Sequence, residues 1–251
     1  MEPRTVSVGG IRMRWEEEGE GPPVVFIHGI PTSPRLWRHV VPRVQGARSL
    51  AWEMVGYGAS IEEGWNHDIS VAKQADYLAS WMREVGLESA FLVGHDLGGG
   101  VAQILAVRQP ELVRGLVLIN SICYDSWPIP SVKAMGAMGS AVERANESIE
   151  EHWPYYERAG GAAAMIRQVR SLDVNDTLAI ADQIPNLNVP ARLVWGAADQ
   201  FQKIGYGYRL AHELGAPIER IEDGKHFVPE DHPERVAAAV NELLEQAAPG
   251  R

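Results

Sequence analysis

An apolar run, Ala90-Phe-Leu-Val93, leads into Gly94-His-Asp-Leu-Gly98 and then into residues suited to a helix. This pattern leaves the backbone little choice. A strand must turn sharply into a helix, and the small residues around Asp96 let the turn pass close to its neighbours. Such an elbow lifts its central side chain to the edge of a sheet, where it can act as a nucleophile. A carboxylate there can displace a leaving group from an sp³ carbon and hold an alkyl ester. The duller reading of Asp96 is a helix N-cap, which leaves the crowded glycines unexplained.

Around the elbow, short apolar runs alternate with helical periodicity. Residues 5–8 and 11–15 flank Gly9-Gly10 as a hairpin, and 23–28 form a continuous apolar strand of the kind buried on both faces. A helix is expected over 35–44, a strand over 48–52, and a helix over 70–85 capped by Ser70. Strand 90–93, helix 97–108 and strand 115–119 follow. Alternation of this kind implies βαβ units and a mostly parallel sheet, an α/β fold. The rhythm lapses between about 122 and 190, where helical patches cover 132–146, 148–158, 161–172 and 175–184. It resumes with strand 191–195, helix 205–214, strand 217–221 and helix 233–247. The expected organisation is a core of 1–121 and 191–251, with 122–190 inserted as a helical lid over the carboxyl edge of the strands. In open α/β sheets that edge binds ligands.

A net charge of −10 offers no basic face, which argues against nucleic acid or an anionic membrane as partner. Cys123 is the single cysteine, so no intramolecular disulfide forms. Met1-Glu-Pro-Arg-Thr5 lacks the pattern of a secretory leader, and the expected location is the cytoplasm. No apolar run approaches the ~20 residues of a spanning helix. Gly98-Gly-Gly100 lacks the Lys-Ser/Thr of a phosphate loop, and His212-Glu-Leu-Gly-Ala216 lacks the second histidine of a zinc helix. No metal and no cofactor is expected; the partners are water and a small substrate.

Three segments fall at the expected carboxyl edge. His28-Gly-Ile-Pro31 follows the early buried strand, and the Ile30 N–H can point towards the elbow. The Leu97 N–H opens a helix, where unpaired donors favour negative charge, and these two amides make a candidate oxyanion hole. Asp199 leaves one late strand and His226 follows the last. Histidine near its ordinary pKa can activate water, and a carboxylate can fix its tautomer. Plainer roles exist for each: Asp199 as a turn residue, His226 as a loop histidine, His232 as a solvated helix start, Cys123 as a small buried side chain. His28 and His95 sit in tight backbone and read as structural hydrogen-bonding groups.

Taken together, His28-Gly-Ile-Pro31, Gly94-His-Asp-Leu-Gly-Gly99, Trp195-Gly-Ala-Ala-Asp199 and His226-Phe-Val-Pro-Glu-Asp-His-Pro233 resemble the α/β-hydrolase superfamily over nearly the whole chain. The likeness is to its aspartate-nucleophile branch of epoxide hydrolases and haloalkane or haloacetate dehalogenases. It implies an eight-stranded, mostly parallel sheet with helices on both faces. It implies Asp96 as nucleophile, His226 as base, Asp199 as orienting acid, and Ile30 and Leu97 as oxyanion donors. Haloalkane dehalogenases carry Asn and Trp where this chain has Ile30 and Leu97, and haloacetate dehalogenases carry Arg in place of Leu97. Against that, Pro31-Thr-Ser-Pro-Arg-Leu-Trp37 is similar to the dehalogenase loop, and His152-Trp153 resembles the haloacetate halide pocket. Epoxide hydrolases use lid tyrosines to protonate the opening oxide. Tyr155 is the first choice here, with Tyr156 and Tyr124 as alternatives. Trp127 and Trp153, with His152, suggest a pocket for an apolar or aromatic substrate. The leading expectation is therefore an epoxide hydrolase, then a dehalogenase, then a non-catalytic ligand-binding protein on the same fold.

Overall fold

A computed structural model describes residues 1–128 and 146–247. Its strands are β1 (Glu2–Val8), β2 (Ile11–Glu18), β3 (Pro23–Ile27), β4 (Arg48–Glu53), β5 (Ala90–His95), β6 (Val113–Ile119), β7 (Ala191–Gly196) and β8 (Ile218–Ile221). They form one sheet in the order β1-β2-β4-β3-β5-β6-β7-β8. β1 and β2 pair antiparallel, as do β2 and β4, and every pairing from β4 onward is parallel.

The buried strands show why their sequences are apolar throughout. In β3, Val25 and Ile27 join a core on one face while Val24 and Phe26 join a second core on the other. Alternate side chains of one strand thus feed two hydrophobic layers. The first layer is covered by helices α1 (Val71–Glu84) and α2 (Leu97–Arg108), with Leu78, Trp81 and Val101 fully buried. The second packs Trp37 and Leu36 with the last helix of the chain, residues Pro233–Ala247, through Val236 and Val240. Ser70 caps α1 by accepting the Lys73 N–H at 3.3 Å. α2 is buried on all sides from Leu97 to Ala106, which matches its apolar sequence without a polar face.

Two expectations change in detail. The helix anticipated over 35–44 is two short 3-10 turns, Pro34–Trp37 and Val41–Arg43, each starting with or next to a proline. Pro42 has no N–H to donate into a continuous helix. The helix anticipated over 175–184 is one turn, Asn175–Leu178, followed by a 3-10 segment Ala181–Asn186 that contains Pro185. Between β6 and β7 the described residues hold helices α3 (Asn146–Arg158), α4 (Ala162–Arg170) and α5 (Asn175–Leu178) and no strand. The helix expected over 132–146 lies outside the described residues apart from its last position. After β7 come α6 (Ile204–Leu214), α7 (Val228–Asp231) and α8 (Pro233–Ala247). Among the described residues no helix is long and apolar enough to cross a membrane.

Candidate active site

The carboxyl ends of β3, β5, β7 and β8 converge on Asp96. Its backbone sits at φ 53°, ψ −119°, a conformation L-residues avoid. Tight contacts over-determine it: the Asp96 N–H donates to Ile119 O at 3.3 Å, and Asp96 O accepts from Gly99 N at 3.1 Å and Ile122 N at 3.2 Å. Only glycine fits at the crossing, because a Cβ on Gly98 would collide with the Ile27 carbonyl, and one on Gly99 with Ser121. Asp96 makes no side-chain cap bond to α2. Its Oδ2 instead accepts the Ile30 N–H at 3.0 Å. The Leu97 N–H also stabilises the carboxylate, as does His226, yet burial outweighs these and raises its pKa above the ordinary aspartate value.

His226 stands on the other side. Its Nδ1–H donates to Asp199 Oδ2 at 2.9 Å, and its Nε2 lies 3.8 Å from Asp96 Oδ1. With Nδ1 protonated by this partnership, the lone pair of Nε2 faces the carboxylate. Rings close around the imidazole: His95 at 4.8 Å, Phe227 at 4.9 Å and Phe201 at 5.0 Å between centroids. Asp199 Oδ1 accepts the N–H groups of Phe201 at 2.7 Å and Gln202 at 3.1 Å. Burial pushes the Asp199 carboxyl up, but His226, Asn120 and the Gln202 N–H together hold it below the usual range, so it stays ionised.

Asn120, which sequence reasoning missed, locks this acid. At the end of β6, with φ 40°, it donates through Nδ2 to Asp199 Oδ2 and, at 3.2 Å, to Lys225 O. Its Oδ1 accepts the Gly196 N–H at 3.0 Å. One amide side chain therefore joins the ends of β6 and β7 to the loop that carries His226. A lone asparagine after a strand offers no pattern that singles it out.

His28 and His95 are structural. His28 Nε2 accepts the Met54 N–H at 3.2 Å, and His95 Nε2–H donates to His226 O at 2.8 Å. Burial lowers both rings to a pKa of about 3, so each is neutral.

The remaining candidates disperse. The Tyr124 hydroxyl donates to Glu213 at 2.7 Å and its ring lies 3.7 Å beneath Arg209, so α6 occupies it. Tyr156 is buried and donates to Gln168 Oε1 at 2.8 Å; Tyr155 is half-buried beside Arg158. Trp153 is 48% exposed, and its indole N–H donates to Glu157 at 2.7 Å. Trp127 is buried, with its N–H on Thr177 at 2.6 Å. His152 is buried between Ser33 and Glu230. A tyrosine outside the earlier candidates, Tyr57, is buried and un-ionised, chiefly through desolvation and then through the fields of Tyr156 and Asp96. Among the described residues no cluster of His, Cys, Asp or Glu is placed to hold a metal.

Comparison with known proteins matches residues 22–149 to the family described as alpha/beta hydrolase fold. Haloalkane dehalogenase 2 of Mycobacterium tuberculosis is 27% identical over 92% of this chain and 91% of its own length. The crystal structure of a putative ancestral haloalkane dehalogenase superposes with a TM-score of 0.81 at 26% identity, covering 97% of this chain and 99% of that one. An alpha/beta hydrolase fold protein from Burkholderia ambifaria gives a TM-score of 0.83 at 22% identity, over 95% of this chain and 97% of its own, a likeness of fold alone.

Proposed function

Because this chain belongs to the α/β-hydrolase family and has haloalkane dehalogenases among its relatives, we propose that it hydrolyses a carbon–heteroatom bond through a covalent ester on Asp96, with an epoxide as substrate. The observation that carries this reading is the division of labour on one carboxylate. Oδ2 is held by the Ile30 N–H, while Oδ1 faces the His226 Nε2 at 3.8 Å. Oδ1 is then the attacking atom and Oδ2 the future carbonyl oxygen.

In the first step Oδ1 bonds to a ring carbon, the C–O bond of the epoxide breaks, and the freed oxygen takes a proton from a tyrosine. Tyr156, whose hydroxyl must turn from Gln168 Oε1 to the opening oxide, is the lid residue we assign to that task, with α3 and α4 as part of the lid. Tyr57, which shares its surroundings, feels the charge of both Tyr156 and Asp96. In the second step His226 removes a proton from water, whose oxygen bonds to Asp96 Cγ. The Ile30 and Leu97 N–H groups hold the oxyanion on Oδ2, and collapse expels the diol alkoxide, which takes the proton back from His226; the second water proton, left on the Asp96 carboxyl, passes to the tyrosinate and resets both groups. General-base assistance is worth roughly 10²–10⁴, and each oxyanion donor about 10²–10³. Phe201 and Phe227 beside the base favour an apolar or aromatic substituent.

A second reading, halide release, is favoured by the named relatives. It requires donors for a departing halide, and the side chains of Ile30 and Leu97 have none. The indole N–H groups of Trp127 and Trp153 are already bonded to Thr177 and Glu157. The test is a single turnover of styrene oxide in ¹⁸O-labelled water with enzyme in excess, run beside 1-bromobutane and fluoroacetate. Diol product with label in the Asp96 carboxylate is the expected result. Label confined to product overturns the ester. Halide release without diol gives the site to the second reading, and saturable binding without turnover removes the enzymatic one.

A further inference from the structure

A closed circuit of polar groups lies beside the catalytic residues without including any of them. His152 Nδ1 is 3.0 Å from Ser33 Oγ, and His152 Nε2 is 3.3 Å from Glu230 Oε1. Arg38 Nη1 donates to the same Glu230 oxygen at 3.0 Å, and Arg38 Nε stands 4.0 Å from Glu151 Oε1. Arg35 Nε donates to Glu151 Oε2 at 3.1 Å, and the Arg35 backbone N–H returns to Ser33 Oγ at 3.3 Å.

The placement of these groups matters more than their number. Glu151 and His152 belong to α3, in the segment between β6 and β7. Ser33 caps the 3-10 turn just beyond Ile30, which supplies one oxyanion amide. Glu230 lies in α7, just beyond His226. Ser33 and His152 are buried, at 0% and 3% exposure, so their bonds are shielded from competing water. These contacts are consistent with the Arg35 N–H on one lone pair of Ser33, the Ser33 hydroxyl donating to His152 Nδ1, and His152 Nε2–H donating to Glu230.

We propose that His152 is a positioning residue that registers α3 against both catalytic loops, and through them governs hydrolysis of the Asp96 ester. The inference rests on the covalent-ester reading above. Formation of the ester uses one side of this arrangement, the Asp96 carboxylate on the elbow oriented by the Ile30 N–H. Its hydrolysis needs the Ile30 N–H and His226 in register with one another, and those are the two loops that His152 joins. In that step the water oxygen bonds to Cγ, the alkyl C–O bond to Cγ breaks, and the proton passes through His226 to the alkoxide.

The experiment compares His152→Ala and His152→Gln with wild type, using styrene oxide, rapid quench and intact-protein mass spectrometry. Hydrogen exchange of the free enzyme is followed at 31–38 and 227–231. His152→Ala should accumulate the ester at steady state, with ester hydrolysis slowed roughly 10- to 100-fold and ester formation held. His152→Gln, which keeps a donor and an acceptor, should recover most of the loss. Exchange should rise at both segments together in His152→Ala and stay low in His152→Gln. Equal slowing of both steps, a change in KM alone, or faster exchange confined to α3 overturns the inference. His226→Gln separates the two levels. If it accumulates ester and His152→Ala does not, the positioning role falls and the reaction stands. If His226→Gln accumulates none, the reaction falls and this role with it.

Discussion

Gly29 is where a single methyl group tests the geometry of the site. It precedes Ile30, and its φ lies outside the left-handed region, so alanine can adopt its backbone without strain. The added Cβ, however, would stand 2.5 Å from Asp96 Cβ and 2.9 Å from Asp96 Cγ, where ordinary contact begins at 3.4 Å. The two must separate by about 1 Å, since the elbow backbone fixes the Asp96 Cβ and no rotamer can move it away. The retreating segment carries the Ile30 N–H out of its 3.0 Å bond to Oδ2. Misplacement on this scale costs on the order of 10²-fold, and the loss of an oxyanion donor roughly 10²–10³-fold in kcat. Overpacking costs about 1–3 kcal/mol of stability, which a domain of this size survives with a Tm lower by several degrees. Gly29→Ala should therefore stay folded and lose at least about 100-fold in kcat/KM. Diol formation and differential scanning calorimetry measure the two quantities. A variant that melts close to wild type and turns over at the wild-type rate refutes the claim that this contact sets the nucleophile.

Two further outcomes follow from the charges around the site. Asn120→Ala removes a donor from the ionised Asp199, worth about 1.5–3 kcal/mol, so turnover should fall roughly 10- to 100-fold. The Asp199 carboxyl is then less depressed, and the acid limb of the pH–rate profile should move to higher pH; an unmoved limb counts against the role of Asn120. Asp96→Asn should raise stability at neutral pH. The folded carboxyl has a raised pKa, so wild-type stability is greatest below the unfolded value of about 3.9 and declines as pH rises through the folded pKa. The advantage of the variant should be present above the folded pKa and vanish as pH falls below about 4; urea unfolding across that range measures it. An advantage that persists in acid would mean that ionisation of Asp96 carries no cost.

The parts of the fold visible in the sequence were those written in local pattern. The strand containing Val24 to Ile27 feeds two cores, and its unbroken apolar run announces that burial. The Gly94–Gly98 elbow is equally local, because each glycine answers to a carbonyl or a side chain within the same crossing. Local periodicity misled at 35–44, where Pro34 and Pro42 divide an apparently amphipathic segment into separate turns. Tyr124 shows a different limit. It was a candidate by position in the chain, but Glu213 and Arg209 on α6 claim its hydroxyl and its ring. Asn120 and the Ser33–His152–Glu230 contacts arise only when distant strands and helices meet. Ser33 and His152 are 119 positions apart, and nothing in either neighbourhood records the partnership.

Both groups assigned to steady the developing negative charge are main-chain N–H donors, those of Ile30 and Leu97. Every non-proline residue carries that donor, so the chemistry at Oδ2 is indifferent to which side chain occupies either position. Substitution at either position keeps that donor, although Leu97, buried at the head of α2, accepts only a side chain of similar volume without a packing cost. A lineage could exchange one leaving group for another by a single substitution at 30 or 97, without rebuilding the Asp96, His226 and Asp199 set. Mutational libraries restricted to these two sites should accordingly shift substrate preference more often than they abolish turnover.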